Sequence, residues 1–216
     1  MVPHDGEPAA GPWRVISVAE LWRVLLDAAG PGTDRPAVVG IGGRSSSGKT
    51  TLAGRLAAEK SRVAVLHTDD IAWRQAVLDW DGLLVDGVLA PVRRGQPVAY
   101  RPPKWAEYGR SGAVEVPFGT AVLIVEGVGA TRRALAPVLD ATIWVQADAA
   151  VLEQRDEARI AAGETTAADH RAWMAEERPF LLDDRAWERA TIIVAGSPGL
   201  PHEPTAEVVV ADGVPR

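Results

Sequence analysis

At 216 residues and 47% hydrophobic content, the chain has the size and apolar supply for one domain with a sizeable core, and no stretch reaches the length of a membrane span. The absence of cysteine excludes a disulfide framework, a thiolate metal site and thiol chemistry, which fits the cytoplasm. A net charge of −6 argues against a broad polyanion-binding surface, so nucleic acid is not an expected partner.

The start of the chain has neither a basic cluster nor an apolar run, so no signal peptide is expected. Residues 1–16 are rich in Pro and Gly and read as loose. Ser17-Val-Ala-Glu20 has the form of a capping box and opens a helix over 17–30, with Leu21, Val24, Leu25 and Ala28 on one face and Gly30-Pro31-Gly32 as its stop. Five apolar, β-branched runs then recur at residues 38–41, 63–66, 121–125, 141–145 and 191–194, the pattern of strands covered on both faces. Helical periodicity lies between them, after Lys49 and over about 82–92, 149–162 and 167–178. The Pro- and Arg-rich stretch 93–117 reads as a long functional loop, and 207–211 as a sixth strand at an edge. This alternation predicts a single α/β domain over 1–216, with a five-stranded parallel sheet and helices on both faces.

The first run leads directly into Gly43-Arg-Ser-Ser-Ser-Gly48-Lys49-Thr50, which satisfies G-x-x-x-x-G-K-[ST]. Glycines at Gly43 and Gly48 let the backbone curl so that the N–H groups of Ser45, Ser46, Ser47, Lys49, Thr50 and Thr51 can surround an anion. The helix that starts there adds the positive end of its dipole. A di- or triphosphate fits such a cradle, with Lys49 reaching the β- and γ-phosphates and the Thr50 hydroxyl holding Mg²⁺. ATP and Mg²⁺ are therefore the expected cofactors. The plainer alternative is an ordinary glycine turn between strand and helix.

In sheets of this kind ligands bind beyond the carboxyl ends of the strands. Asp69 and Asp70 follow the second run and Glu126 ends the third, so carboxylates stand at the same rim as the cradle. Phosphoryl transfer needs a metal against the β- and γ-oxygens and a group that takes the proton of the attacking hydroxyl, and such carboxylates can supply both. Read structurally, the same residues are helix caps and a solvated strand end.

The order Gly43–Thr51, Leu66-His-Thr-Asp-Asp70 and Ile124-Val-Glu-Gly127 resembles the uridine kinase and nicotinamide riboside kinase branch of small P-loop kinases, in an actinobacterial-type version. The resemblance covers roughly residues 38–195. It implies a P-loop fold, Asp69 as catalytic base, Asp70 in metal or water contact, and Glu126 supporting Mg²⁺ through water. It implies a ribose-gripping aspartate at Asp81, with Asp79 as second choice, and an arginine-bearing lid within 148–180, where Arg155 and Arg159 stand four apart on one helix face. On the acceptor side the chain departs from that pattern. Tyr100-Arg-Pro-Pro-Lys104-Trp105-Ala-Glu-Tyr108-Gly-Arg110 has a lysine where an aspartate is expected, which suits an acidic acceptor better than a neutral pyrimidine. Lys104, Trp105 and Tyr108 are the substrate-side candidates, while Trp73, Trp80 and Trp105 could equally be packing residues.

The expected activity is transfer of the γ-phosphate of ATP to a hydroxyl of a small nucleoside-like molecule. A nucleotide-monophosphate kinase, with Arg101, Lys104 and Arg110 on the acceptor phosphate, and a non-catalytic ATP-binding module are the alternatives. A GTPase with an Asn-Lys-x-Asp motif is excluded, because the chain contains no asparagine.

Overall fold

The computed structural model describes residues 1–30 and 34–214, so the Pro31-Gly32 part of the predicted helix stop lies outside the described residues. Strand β1 (Arg14–Ser17) leads into helix α1 (Val18–Ala29), β2 (Ala37–Gly43) into α2 (Lys49–Glu59), and β3 (Val63–His67) into the short α3 (Thr68–Ala72). Next come α4 (Asp81–Leu84), a π-helical turn (Val85–Leu89) and α5 (Ala90–Arg93). A small antiparallel pair, β4 (Val98–Tyr100) and β5 (Val114–Val116), brackets α6 (Pro103–Glu107). Strands β6 (Val122–Glu126) and β7 (Ala141–Gln146), helices α7 (Ala149–Ala161) and α8 (Ala167–Asp184), and strands β8 (Ile192–Ala195) and β9 (Glu207–Ala211) complete the chain.

The main sheet has seven strands, in the order β1-β9-β8-β7-β2-β6-β3. The five strands expected from the apolar runs are its parallel centre, β8-β7-β2-β6-β3. The expectation of five is corrected at the other end. Strand β9 pairs antiparallel with β8, and β1 pairs antiparallel with β9, Val15 opposite Val209, so β9 is interior and β1 is the edge. Strand β1 escaped notice because Val15 and Ile16 alone give no periodicity within a Pro- and Gly-rich segment. That segment is also tied down further upstream, where the Glu7 carboxylate accepts from Arg44 Nε, Trp144 Nε1 and Gln146 Nε2 at 2.7–2.9 Å.

Alternation along the central strands explains the unbroken apolar runs. Val122 and Ile124 of β6 face the cluster formed with α1 and α2, whereas Leu123 and Val125 face the cluster of Leu84, Val88, Leu89 and Trp105 on the opposite side. Ser17 caps α1 by accepting from Glu20 N at 3.0 Å, and Trp22 Nε1 donates to Leu56 O, which locks α1 onto α2. The parallel strands therefore present all their carboxyl ends at one rim.

Candidate active site

Strand β2 lies between β6 and β7, where successive crossovers depart to opposite sides, so the crevice at its carboxyl end is the topological switch point. The phosphate loop fills that position. Gly48 has φ 98°, a left-handed conformation open to glycine, and from it α2 starts at Lys49. Ser46 holds φ 59° without that freedom, a local strain of the kind found at ligand clamps. A cavity of about 1030 Å³ opens over the loop, and Lys49, Thr50, Asp69, Glu126, Arg155 and Arg159 all line it. The cradle, two of the three expected rim carboxylates (Asp69 and Glu126) and the arginines expected of a lid are brought together, whereas Asp70 does not line the cavity.

Glu126 is the meeting point. Its side chain is 5% exposed, and Oε1 lies 3.0 Å from Thr50 Oγ1 and 2.5 Å from His67 Nδ1. Behind it Gly127, at φ 148°, sits so close to Thr68 that a Cβ would fall 1.8 Å from Thr68 Oγ1. These oxygens suit a hard cation, and among the described residues no group of three or more His, Cys, Asp or Glu forms an all-protein metal cage. Mg²⁺ fits that donor set, since it binds through one or two side chains together with substrate phosphates.

Asp69 opens into the cavity beside Glu126. Solvent reaches it through the mouth, yet the surrounding walls penalise its charge, and with the Glu126 carboxylate nearby they hold its pKa above the usual aspartate value. That is the direction a general base requires. Burial pushes the Lys49 ammonium down, against the pull of Glu177, Glu126 and Asp69, while Nζ donates to Arg44 O at 2.6 Å.

The acceptor-side expectations fare differently, because none of Asp81, Lys104, Trp105 and Tyr108 lines the cavity. Asp81 pairs with Arg132 at 3.1 Å, and that arginine stacks over the buried Trp80. Lys104 pairs with Glu107 at 2.7 Å. Trp105 is buried packing and donates Nε1 to Asp70 O at 2.8 Å. Tyr108 is half exposed, with Arg74 4.4 Å from its ring centroid. Asp70 Oδ1 faces Arg110 Nη2 at 2.5 Å, which turns that oxygen to a cation instead of a metal. Arg93 does more than cap its helix, donating to Val138 O and Asp140.

On α7, where the lid is expected, Arg155 donates to Ser46 O and Gly196 O, both at 2.9 Å, and so ties the helix to the loop, while the exposed Arg159 pairs with Glu164. Two further carboxylates, on helix faces with no sequence signal of a role at the loop, reach it. Asp156 accepts from Ser46 Oγ at 2.5 Å, and Glu177 accepts from Ser45 N at 2.8 Å and Ser45 Oγ at 2.6 Å. Their neighbours Glu157 and Glu176 are exposed, and helical position alone did not separate the two kinds.

No family model and no curated protein matches the chain. Among solved structures, a candidate fructose transport system kinase from Silicibacter sp. TM1040 aligns with a TM-score of 0.56 and 24% identity, over 81% of this chain and 95% of that one. D-glycerate 3-kinase from Cryptococcus neoformans var. grubii aligns with a TM-score of 0.50 and 16% identity, over 82% and 94%. These likenesses show the fold. A candidate uridine kinase from Bacillus stearothermophilus aligns at 0.45, too low to carry an argument.

Proposed function

We propose that this protein is an ATP- and Mg²⁺-dependent small-molecule kinase that transfers the γ-phosphoryl group to a hydroxyl. The observation that carries this reading is the Thr50–Glu126 contact of 3.0 Å on the wall of a cavity that Lys49 and Asp69 also line. The two structural neighbours, both described as kinases, agree with it.

In this reading the phosphate loop and Lys49 hold the β- and γ-phosphates, and Thr50 with Glu126 would hold Mg²⁺, which when bound offsets charge on those oxygens. Asp69 accepts the proton of the acceptor hydroxyl as its oxygen bonds to phosphorus and the bond to the leaving ADP breaks. Arg159, exposed on the lid and paired with the exposed Glu164, supplies the mobile cation. Arg155 anchors the lid helix. Pro198, His202, Val208 and Val209, which also line the cavity, offer a mostly apolar wall for the donor base.

On the acceptor side we favour an alcohol that carries negative charge. Arg74, which like Tyr108 stands outside the lining of the cavity, lies over the rings of Trp73 and Tyr108, and among the described residues no carboxylate lies within ion-pair distance of it. A nucleoside acceptor is supported by the resemblance of the strand-end motifs and weakened by the pairing of Asp81 and the burial of Trp105. A screen of hydroxy acids, sugar phosphates, neutral sugars and nucleosides for acceptor-dependent ADP release tests the reading. ADP release with none of these classes would contradict it.

A further inference from the structure

Three donors of the phosphate loop, the Ser45 N–H and the Ser45 and Ser46 hydroxyls, are engaged by the protein's own carboxylates. Glu177 is fully buried on α8, and its carboxylate accepts the Ser45 N–H at 2.8 Å, the Ser45 hydroxyl at 2.6 Å and the Trp173 indole N–H. Trp173 Nε1 also reaches Ser45 Oγ at 2.7 Å. A buried carboxylate is costly unless hydrogen bonds and a nearby cation offset its lost hydration. Here the donors are those of an anion cradle, and among the charges acting on Lys49 that of Glu177 is the largest. Asp156 adds a second carboxylate on Ser46 Oγ at 2.5 Å.

We infer that Glu177 is a further determinant of nucleotide affinity: its carboxylate holds the Ser45 N–H and hydroxyl and yields them when a nucleotide phosphate arrives. This rests on the proposal that the cradle binds a nucleotide. Two anions cannot share one N–H and one hydroxyl, so each phosphate contact at Ser45 is made against Glu177. The charge left beside the phosphates opposes binding again.

The test is ADP affinity by calorimetry, together with thermal melting, for the full-length chain and for Glu177→Gln. Gln is isosteric and uncharged, so Kd for ADP should fall about tenfold while the protein remains folded. Glu177→Ala removes the carboxylate outright and should move Kd the same way, which keeps the test available if Glu177→Gln does not fold. An unchanged or higher Kd in a folded variant overturns the inference and makes Glu177 a positioning residue for the loop. An ADP-bound structure with both Glu177–Ser45 bonds intact overturns it as well. Failure of the unsubstituted protein to bind ADP would instead overturn the kinase reading, and the two failures are therefore distinguishable.

Discussion

Thr50 and Glu126, 76 residues apart in the chain, meet with their side-chain oxygens 3.0 Å apart because β2 and β6 are hydrogen-bonded neighbours that end at the same rim. The pairing registers Ile41 against Glu126, and two elements then deliver a hydroxyl and a carboxylate to one side of the cradle. If these oxygens hold Mg²⁺, Glu126→Gln should raise the Mg²⁺ concentration needed for half-maximal turnover by about tenfold, with a smaller change in ATP affinity measured without metal. A Mg²⁺ titration of ADP release checks this, and an unchanged requirement would remove Glu126 from the metal site.

Asp69→Asn should leave ADP binding nearly intact and reduce transfer by roughly a hundredfold or more, the usual loss when a general base is removed. Asp70→Asn, which loses only the pairing with Arg110, should keep most of the activity. Single-turnover kinetics on both variants decide between the adjacent aspartates, and the reverse outcome would move the base one residue along.

Asp69 also fixes a pH dependence. Its pKa is raised in the folded protein by desolvation and by the Glu126 charge. The same shift bears on stability with a definite sign. Below the unfolded-state pKa the group is protonated in both states and costs nothing, and as pH rises through the folded-state pKa the native state loses stability. Asp69→Asn should therefore melt higher than the parent at pH 7 and level with it at acid pH. A lower melting temperature at pH 7 would contradict the assignment.

Much of this site was legible in the sequence because its parts are local. A phosphate loop is a contiguous motif with a backbone function, and Asp69 and Glu126 are marked by the strands that precede them. What stayed hidden depends on long-range pairing. The contacts of Asp81 with Arg132, 51 residues on, and of the Trp105 indole N–H with Asp70 O are of this kind. Glu177 and Glu7 carry no local signal, because a glutamate beneath a phosphate loop has the same sequence appearance as one in solvent. Strand β1 was missed for a related reason: its partner is β9, at the other end of the chain.

Glu7 and Arg44 form an ion pair of 2.8 Å with side chains 2% and 5% exposed, directly under the phosphate loop. Glu7→Gln leaves the guanidinium buried without its charge partner, and breaking a buried pair on one side costs about 3–5 kcal/mol. Urea unfolding of the variant checks this. A loss under about 1 kcal/mol, the range of an exposed pair, would mean that the N-terminal segment is not held as described.

The most direct test of the central claim is the balance of products. With an acceptor found by the screen, the protein should form ADP and a product heavier by one phosphoryl group in equal amounts, and Lys49→Ala, with its fold intact, should form neither. ATP consumption that yields ADP and free phosphate without a phosphorylated acceptor, or near-normal transfer by Lys49→Ala, would contradict the kinase assignment.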